Sequence, residues 1–181
     1  MKIQETSLAG VLLLSPTIYR DNRGAFQETW NLQAMTDAGL PARWVQDNFS
    51  ISKRNVLRGI HYQVFQPQGK LVRVAYGAVL DVAVDLRRSS VNFGRHVAVE
   101  LTGENGAMLW IPEGFGHAFL ALTETVGFSY KVTDYYSPQG ERTILWNDPD
   151  LAIAWPVTAE ELIVSDKDNK GAALLEAEVF P

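Results

Sequence analysis

Short apolar runs separated by turn-forming residues make up most of the chain, which is typical of β-strands. Between residues 71 and 133 these runs are rich in Val, Leu and Ala, and glycine-containing segments punctuate them. They predict strands over residues 71–76, 78–86, 95–101, 107–111, 118–122 and 127–133, with a hairpin turn at 103–106 and a loop at 112–117. Many short strands at regular spacing indicate an all-β sandwich or barrel.

Outside this region the chain predicts two more extended segments, at residues 10–15 and 25–30, one turn and a few short helices. Residues 10–15 form an apolar run that Pro16 closes, and residues 21–24 are a turn in which Gly24 can take a positive φ. Asn31 can cap a helix that runs to Ala38. Near the C-terminus, a capping box at residues 158–161 and the 172–177 segment predict short peripheral helices.

Residues 46–70 carry the densest set of polar groups. In an extended strand, alternate side chains share one face, so Gln46, Asn48, Ser50 and Ser52 would point the same way. Four more hydrogen-bonding residues follow closely: Arg58, His61, Gln63 and Lys70. A cleft for an anionic substrate that must lose a proton would use such groups. A polar edge strand with a solvated basic loop would have the same pattern, and the residues alone do not decide between the two.

Composition narrows the class of protein. A chain of 181 residues with 46% hydrophobic residues predicts one domain over 1–181 with a substantial core. The net charge of −5 argues against bulk nucleic-acid binding but allows a local basic pocket. Without cysteine, neither a disulfide nor a thiolate nucleophile can form. The apolar run at 8–14 is too short to cross a membrane and lacks a signal-peptide cleavage site, so we expect a soluble, cytoplasmic protein.

Two segments, at 59–63 and 112–117, resemble the two half-motifs of a cupin. Metal cupins carry two histidines one residue apart in the first half, whereas here the second position is Gln63. Only His61 and His117 remain at motif positions, and zinc or iron sites need at least three nitrogen or carboxylate ligands. This favours a cupin pocket that works without a metal. A loop histidine bonded to backbone is an alternative role for His117.

As a set, six motifs resemble the dTDP-4-dehydrorhamnose 3,5-epimerase family over nearly the whole chain. They are Asp21-x-Arg23-Gly24-x-Phe26-x-Glu28, Gln46-x-Asn48-x-Ser50, Val56-Leu57-Arg58-Gly59-x-His61-x-Gln63, Lys70-Leu71-Val72-Arg73-Val74, Trp110-Ile111-Pro112-x-Gly114-Phe115-x-His117 and Tyr130-Lys131-x-Thr133-x-x-Tyr136. The resemblance implies a cupin-type jelly-roll barrel, a homodimer, and no metal or organic cofactor. It also implies that the protons at C3 and C5 of a dTDP-linked 4-keto-6-deoxy sugar are removed and replaced.

The resemblance assigns catalytic roles to four residues. His61 would be the base, since histidine titrates near neutral pH. Asp168 would orient His61, and Lys70 would stabilise the enolate oxygen that forms. Tyr130 would return a proton on the face opposite His61. On sequence alone, Asp168 could equally be a surface acid and Tyr130 an ordinary core tyrosine.

The same resemblance implies a set of substrate contacts. Arg23, Arg58 and Lys167 match positions that hold the diphosphate and sugar, for which the arginine fork is well suited. Tyr136 matches an aromatic residue that stacks on the thymine base. Further contacts to nucleotide or sugar are implied for Gln46, Asn48, Gln63, His117 and Glu141. The family builds each site partly from the partner chain, so Arg23, Phe26 and Glu28 would serve the other subunit's pocket.

Three alternatives remain open. A relative could invert only C3 or C5, or could act as a ketoisomerase on a related nucleotide-linked sugar. A metal-dependent cupin such as a dioxygenase is a second alternative, against which Gln63 argues. The third is a cupin that binds sugars without catalysis, which would be expected to lack one or more of His61, Lys70 and Tyr130; all three are present.

Overall fold

A computed structural model describes residues 1–181 and contains fourteen β-strands, one α-helix and two single turns of 3-10 helix. The α-helix, α1, spans Leu32–Asp37, and the 3-10 turns span Ala159–Glu161 and Asp168–Lys170. The strands are β1 (Lys2–Glu5), β2 (Leu12–Ser15), β3 (Ile18–Asp21), β4 (Gly24–Gln27), β5 (Gln46–Lys53), β6 (Val56–Gln63), β7 (Lys70–Tyr76), β8 (Ala78–Asp85), β9 (His96–Thr102), β10 (Met108–Ile111), β11 (Phe115–Ala121), β12 (Thr125–Val132), β13 (Glu141–Thr143) and β14 (Ile163–Val164).

Twelve of the strands form two sheets that pack face to face. The first sheet has the order β1-β2-β10-β7-β12-β5, and the second has the order β13-β6-β11-β8-β9 with β14 alongside β6. Strands β3 and β4 form a separate hairpin. The main core lies between the sheets, where Val72 and Phe128 of the first sheet share one cluster with Ala83 and Phe119 of the second. The predicted all-β fold class is confirmed, although the sheets keep separate edges and do not close into one barrel.

Several local predictions are also confirmed. In β5 the side chains alternate between more and less exposed positions, with Gln46, Asn48, Ser50 and Ser52 on the inner face. The hairpin between β3 and β4 turns at residues 21–24, with Gly24 at φ +133°. The side chain of Asn31 accepts a hydrogen bond from the Ala34 N–H at 3.1 Å and caps α1.

Three boundaries differ from the prediction. Strand β11 begins at Phe115, so His117 lies within a strand and not in a loop. Residues 103–106 do form a turn, but it is not a hairpin, because β9 and β10 belong to different sheets. Residues 172–177 form turns instead of a helix. There the N–H of Ala172 donates to the Thr143 carbonyl and that of Leu174 to Asp148, so tertiary bonds replace the helical ones.

The structure contains no helix whose length and apolar character would allow it to span a membrane.

Candidate active site

The predicted polar residues meet in an open cleft of about 340 Å³ between the two sheets. Its walls come from the inner faces of β5, β7 and β12 on one side and of β6, β11 and β13 on the other. The predicted residues that line it are Asn48, Arg58, His61, Gln63, Lys70, His117, Tyr130, Tyr136 and Glu141. The polar stretch at 46–70 therefore lines a cleft, although β5 is an edge strand of its sheet.

A bulge in β6 brings both Arg58 and His61 into this cleft. The two residues are three positions apart, so simple alternation would place them on opposite faces. On the neighbouring strand, His117 pairs with His61 and Phe119 pairs with Arg58. Two residues of β6, 59 and 60, therefore lie opposite the single residue Ala118 of β11. The strands approach so closely that a Cβ at Gly59 would lie 2.4 Å from the Cβ of Ala118, which makes glycine necessary there.

His61 is held by Asp168, a residue 107 positions further along the chain. His61 Nε2 lies 2.7 Å from Asp168 Oδ1, and the other carboxylate oxygen accepts the Gly59 N–H at 3.2 Å. Burial opposes ionisation of Asp168, but the bonds from His61 and Gly59 outweigh it and lower the pKa of this carboxyl. An ionised Asp168 accepts a hydrogen bond from the Nε2–H group of His61. Nδ1 of His61 then carries no proton and is free to act as a base.

Lys70 lies on the floor of the cleft and is only 8% exposed. Its ammonium group donates to the backbone carbonyl of His61 at 3.3 Å. Burial lowers the pKa of Lys70 to about 8, although the negative charges of Asp81 and Glu141 act to raise it. A partly desolvated ammonium next to the base is well placed to stabilise an oxyanion.

Tyr130 lies on β12, in the sheet opposite the one that carries His61. Burial raises the pKa of its phenol, and the charge of Arg58 only partly opposes this shift. The phenol therefore keeps its proton at neutral pH and can act as a proton donor. Base and acid candidates thus stand on opposite walls of one cleft.

A second histidine–aspartate pair lies deeper in the same cleft. Both carboxylate oxygens of Asp81 lie near His117 Nε2, at 3.1 and 3.0 Å, and Asp81 has no exposed surface. His117 therefore bonds to a side chain and not to backbone. We did not predict Asp81 from the sequence. The available signal was a carboxylate inside the otherwise apolar residues 78–84 of β8, since such a residue is rarely buried unless it is paired.

The rim of the cleft carries a second set of linked polar groups. Lys167 forms an ion pair with Glu141 at 2.5 Å, and the Tyr136 hydroxyl donates to Glu141 at 2.9 Å. Burial opposes ionisation of Glu141, but the bonds from Lys167 and Tyr136 lower its pKa overall. Gln46 donates to the Asn48 side chain at 2.8 Å and accepts the backbone N–H of Tyr136 at 3.2 Å. Lys167 and Gln46 are thus tied to the cleft without lining it.

Gln63 reaches the cleft, but its amide is occupied by backbone groups. Its nitrogen donates to the carbonyls of Gln66 and Tyr135, at 2.7 and 3.2 Å, and its oxygen accepts the Ser137 N–H at 2.9 Å. These bonds hold the segment that carries Tyr136. No group of three or more His, Cys, Asp or Glu side chains is placed to hold a metal ion.

Three predicted residues lie outside the cleft, on and just after the β3–β4 hairpin. Arg23 is exposed and pairs with Asp21 at 2.6 Å, and Phe26 is 69% exposed. Glu28 accepts a hydrogen bond from the Asn31 side chain at 3.2 Å. Within one chain these residues do not join the cleft, so their predicted role depends on a partner chain.

A histidine held by a buried carboxylate, an ammonium and a protonated phenol around one cleft are the groups that a proton-transferring enzyme uses. Residues 5–176 match the family model described as dTDP-4-dehydrorhamnose 3,5-epimerase, and the chain belongs to this family. An enzyme of that name from Pseudomonas aeruginosa is 48% identical over 182 residues, which cover 100% of both chains.

Solved structures show the same relationship. The crystal structure of a dTDP-6-deoxy-D-glucose-3,5-epimerase from Legionella pneumophila, in complex with dTDP-4-keto-L-rhamnose, is 45% identical with a TM-score of 0.94; the match covers 98% of this chain and 94% of that one. A 3'-monoepimerase from Streptomyces bikiniensis in complex with dTDP-quinovose is 35% identical with a TM-score of 0.88, over 94% of this chain and 86% of that one.

Proposed function

We propose that this chain epimerises C3 and C5 of dTDP-4-dehydro-6-deoxy-D-glucose, giving dTDP-4-dehydro-L-rhamnose without a metal or organic cofactor. One observation carries the proposal: a carboxylate-held histidine and a protonated tyrosine face one cleft from opposite sheets, and a buried lysine lines the same cleft. The family and the names of the similar enzymes support the same reaction.

The reaction follows from the placement of these groups. The protons at C3 and C5 are acidic because both carbons flank the C4 ketone. His61 Nδ1 removes one of them, and the electrons of the C–H bond move to the ketone oxygen. The Lys70 ammonium stabilises the resulting enolate. Tyr130 then gives its proton to the same carbon from the other face, which inverts that centre.

Substrate binding follows the charges of the cleft and its rim. We propose that Arg58 and Lys167 bind the diphosphate and that Tyr136 stacks on the base, with Gln46, Asn48, His117 and Glu141 around sugar and nucleotide. In a homodimer, Arg23, Phe26 and Glu28 would reach the partner's cleft. Gln63 would act by holding the Tyr136 segment. We further propose that residues 1–181 work as one catalytic domain in the cytoplasm.

A second candidate is an epimerase that inverts only one carbon. One observation supports this candidate: a structurally similar enzyme that is 35% identical to this chain is described as a 3'-monoepimerase. The two candidates differ in whether both carbons are inverted.

Incubation with the dTDP-linked 4-keto-6-deoxyglucose in D₂O, followed by NMR at C3 and C5, tests the proposal. We expect deuterium and inversion at both carbons. Deuterium at one carbon alone would indicate a monofunctional epimerase, and no exchange at either carbon would contradict the proposed function. Metal analysis of the same purified sample tests the metal-free mechanism, because stoichiometric iron or zinc would overturn it.

A further inference from the structure

Asp81 is a fully buried carboxylate that the proposed reaction does not use. Its oxygens lie 3.1 and 3.0 Å from Nε2 of His117, which lines the same cleft as Lys70. The Cα of His117 lies directly opposite that of His61, and the His61 carbonyl accepts a hydrogen bond from Lys70. Asp81 therefore approaches the cleft floor from the second sheet, whereas Lys70 approaches it from the first.

Lys70 needs a counter-charge, because a buried ammonium is unstable without one. Its hydrogen bond goes to an uncharged carbonyl. The charged and titratable side chains that line the cleft with Lys70, or act on its charge, are Arg58, His61 and Tyr62 of β6, Asp81 of β8, His117 of β11, Tyr130 of β12, Tyr136, and Glu141 of β13. Only two of these are carboxylates, and Glu141 already forms an ion pair with Lys167 at the rim.

We propose that Asp81, fixed in place by His117, is the buried counter-charge that keeps Lys70 in its ammonium form on the cleft floor. Asp81 is then a positioning residue that acts on the enolate through Lys70 and does not touch the substrate. The effect of Asp81 on catalysis rests on the proposed function, whereas its effect on the ionisation of Lys70 does not. The electrostatics agree with this role: burial lowers the pKa of Lys70 to about 8, and the negative charge of Asp81 acts against that shift.

The competing explanation is that Asp81 only orients His117. Replacing Asp81 by Asn separates the two, because the Asn oxygen can still accept a bond from His117 Nε2 while the negative charge is lost. An orienting role predicts little change in the ionisation of Lys70. A counter-charge role predicts that Lys70 loses its proton at a lower pH.

The decisive experiment compares Asp81→Asn with Asp85→Asn. Asp85 lies on the same strand and is equally buried, but it pairs with Arg87 at 2.7 Å and with Ser90 at 2.6 Å, away from the cleft. In protein with ¹³Cε-labelled lysine, NMR follows the titration of Lys70, with Lys70→Arg assigning the signal. The alkaline limb of kcat/KM is measured in parallel.

We expect Asp81→Asn to move both the Lys70 titration and the alkaline limb down by about one pH unit, which is about a fivefold loss of kcat/KM at pH 8. At pH 6 the loss should be much smaller, and Asp85→Asn should leave both midpoints in place. Asp81→Glu, which keeps the charge, should restore the wild-type midpoints. An unmoved Lys70 titration in Asp81→Asn would overturn the proposal. A shifted titration without turnover of the sugar would contradict only the proposed function.

If Asp81→Asn does not fold, Asp81→Ser gives a second test, because its hydroxyl can also bond to His117 Nε2 while the negative charge is lost. The Lys70 titration should again fall below the wild-type midpoint. An unchanged or higher midpoint would overturn the proposal.

Discussion

The cleft holds two histidine–aspartate pairs whose histidines are cross-strand neighbours but whose surroundings differ. The His61 side chain is 31% exposed and its partner Asp168 is 4% exposed, whereas His117 and Asp81 are 10% and 0% exposed. His61 reaches one oxygen of its partner at 2.7 Å, and His117 lies between both oxygens of its partner at 3.0 and 3.1 Å. The same pair of side chains thus lies in a partly open environment in one place and in a closed one in the other.

Packing explains why the pairs differ. The His117 ring stacks on Phe128, with 5.9 Å between centroids, and lies 6.5 Å from the ring of Phe119. His61 instead lies at the bulge of β6, where Asp168 supports it from behind and its other edge faces the cleft. Solvent and substrate can reach a histidine that is held on one side only, so His61 is suited to carry protons and His117 is not.

The largest effect that would separate the pairs is expected from His61→Ala. Removing the base should lower proton exchange at C3 and C5 by about 10²- to 10⁴-fold, as for general-base catalysis elsewhere, while dTDP binding stays within a few-fold of wild type. Exchange in D₂O and calorimetry with dTDP measure the two quantities. His96→Ala, which changes the histidine outside the cleft, is the control; near-normal exchange in His61→Ala would rule out this base.

The next largest effect is expected from Asp168→Asn. The amide keeps the shape of the carboxylate but not its charge, so it no longer stabilises the protonated ring or selects the Nε2–H tautomer. We expect kcat to fall by about 10²- to 10³-fold with KM changed much less. Asp166→Asn, a change to an exposed neighbour on the same segment, should leave kcat within about twofold. Equal losses in the two variants would show that Asp168 has no special role.

The local sequence pattern was sufficient to predict most of the strands, because apolar runs and turn residues determine structure over only a few positions. It could not place Asp168 next to His61, since 107 residues separate them and only the fold brings them together; the family resemblance supplied that pair. Asp81 was missed because its strand looked like ordinary core. The bulge that turns both Arg58 and His61 inward depends on close packing of Gly59 against Ala118, which one strand's sequence does not reveal.

The smallest expected effect is on the free energy of unfolding, and it tests how completely Lys70 is shielded from water in the folded protein. Burial lowers the pKa of Lys70 from 10.5 to about 8, so between these values the unfolded chain holds this proton and the folded chain does not. Stability should therefore rise with pH across that window, whereas below about pH 8 the cost of burying the ammonium is fully present.

In Lys70→Met this contribution is missing, and the contributions of the other titrating groups cancel when the two proteins are compared. Urea unfolding from pH 7 to 10.5 should show wild type gaining about 1–3 kcal/mol relative to Lys70→Met. Parallel curves would mean that water reaches Lys70 as freely as it reaches His61, and the contrast between the two pairs would then lose its physical basis.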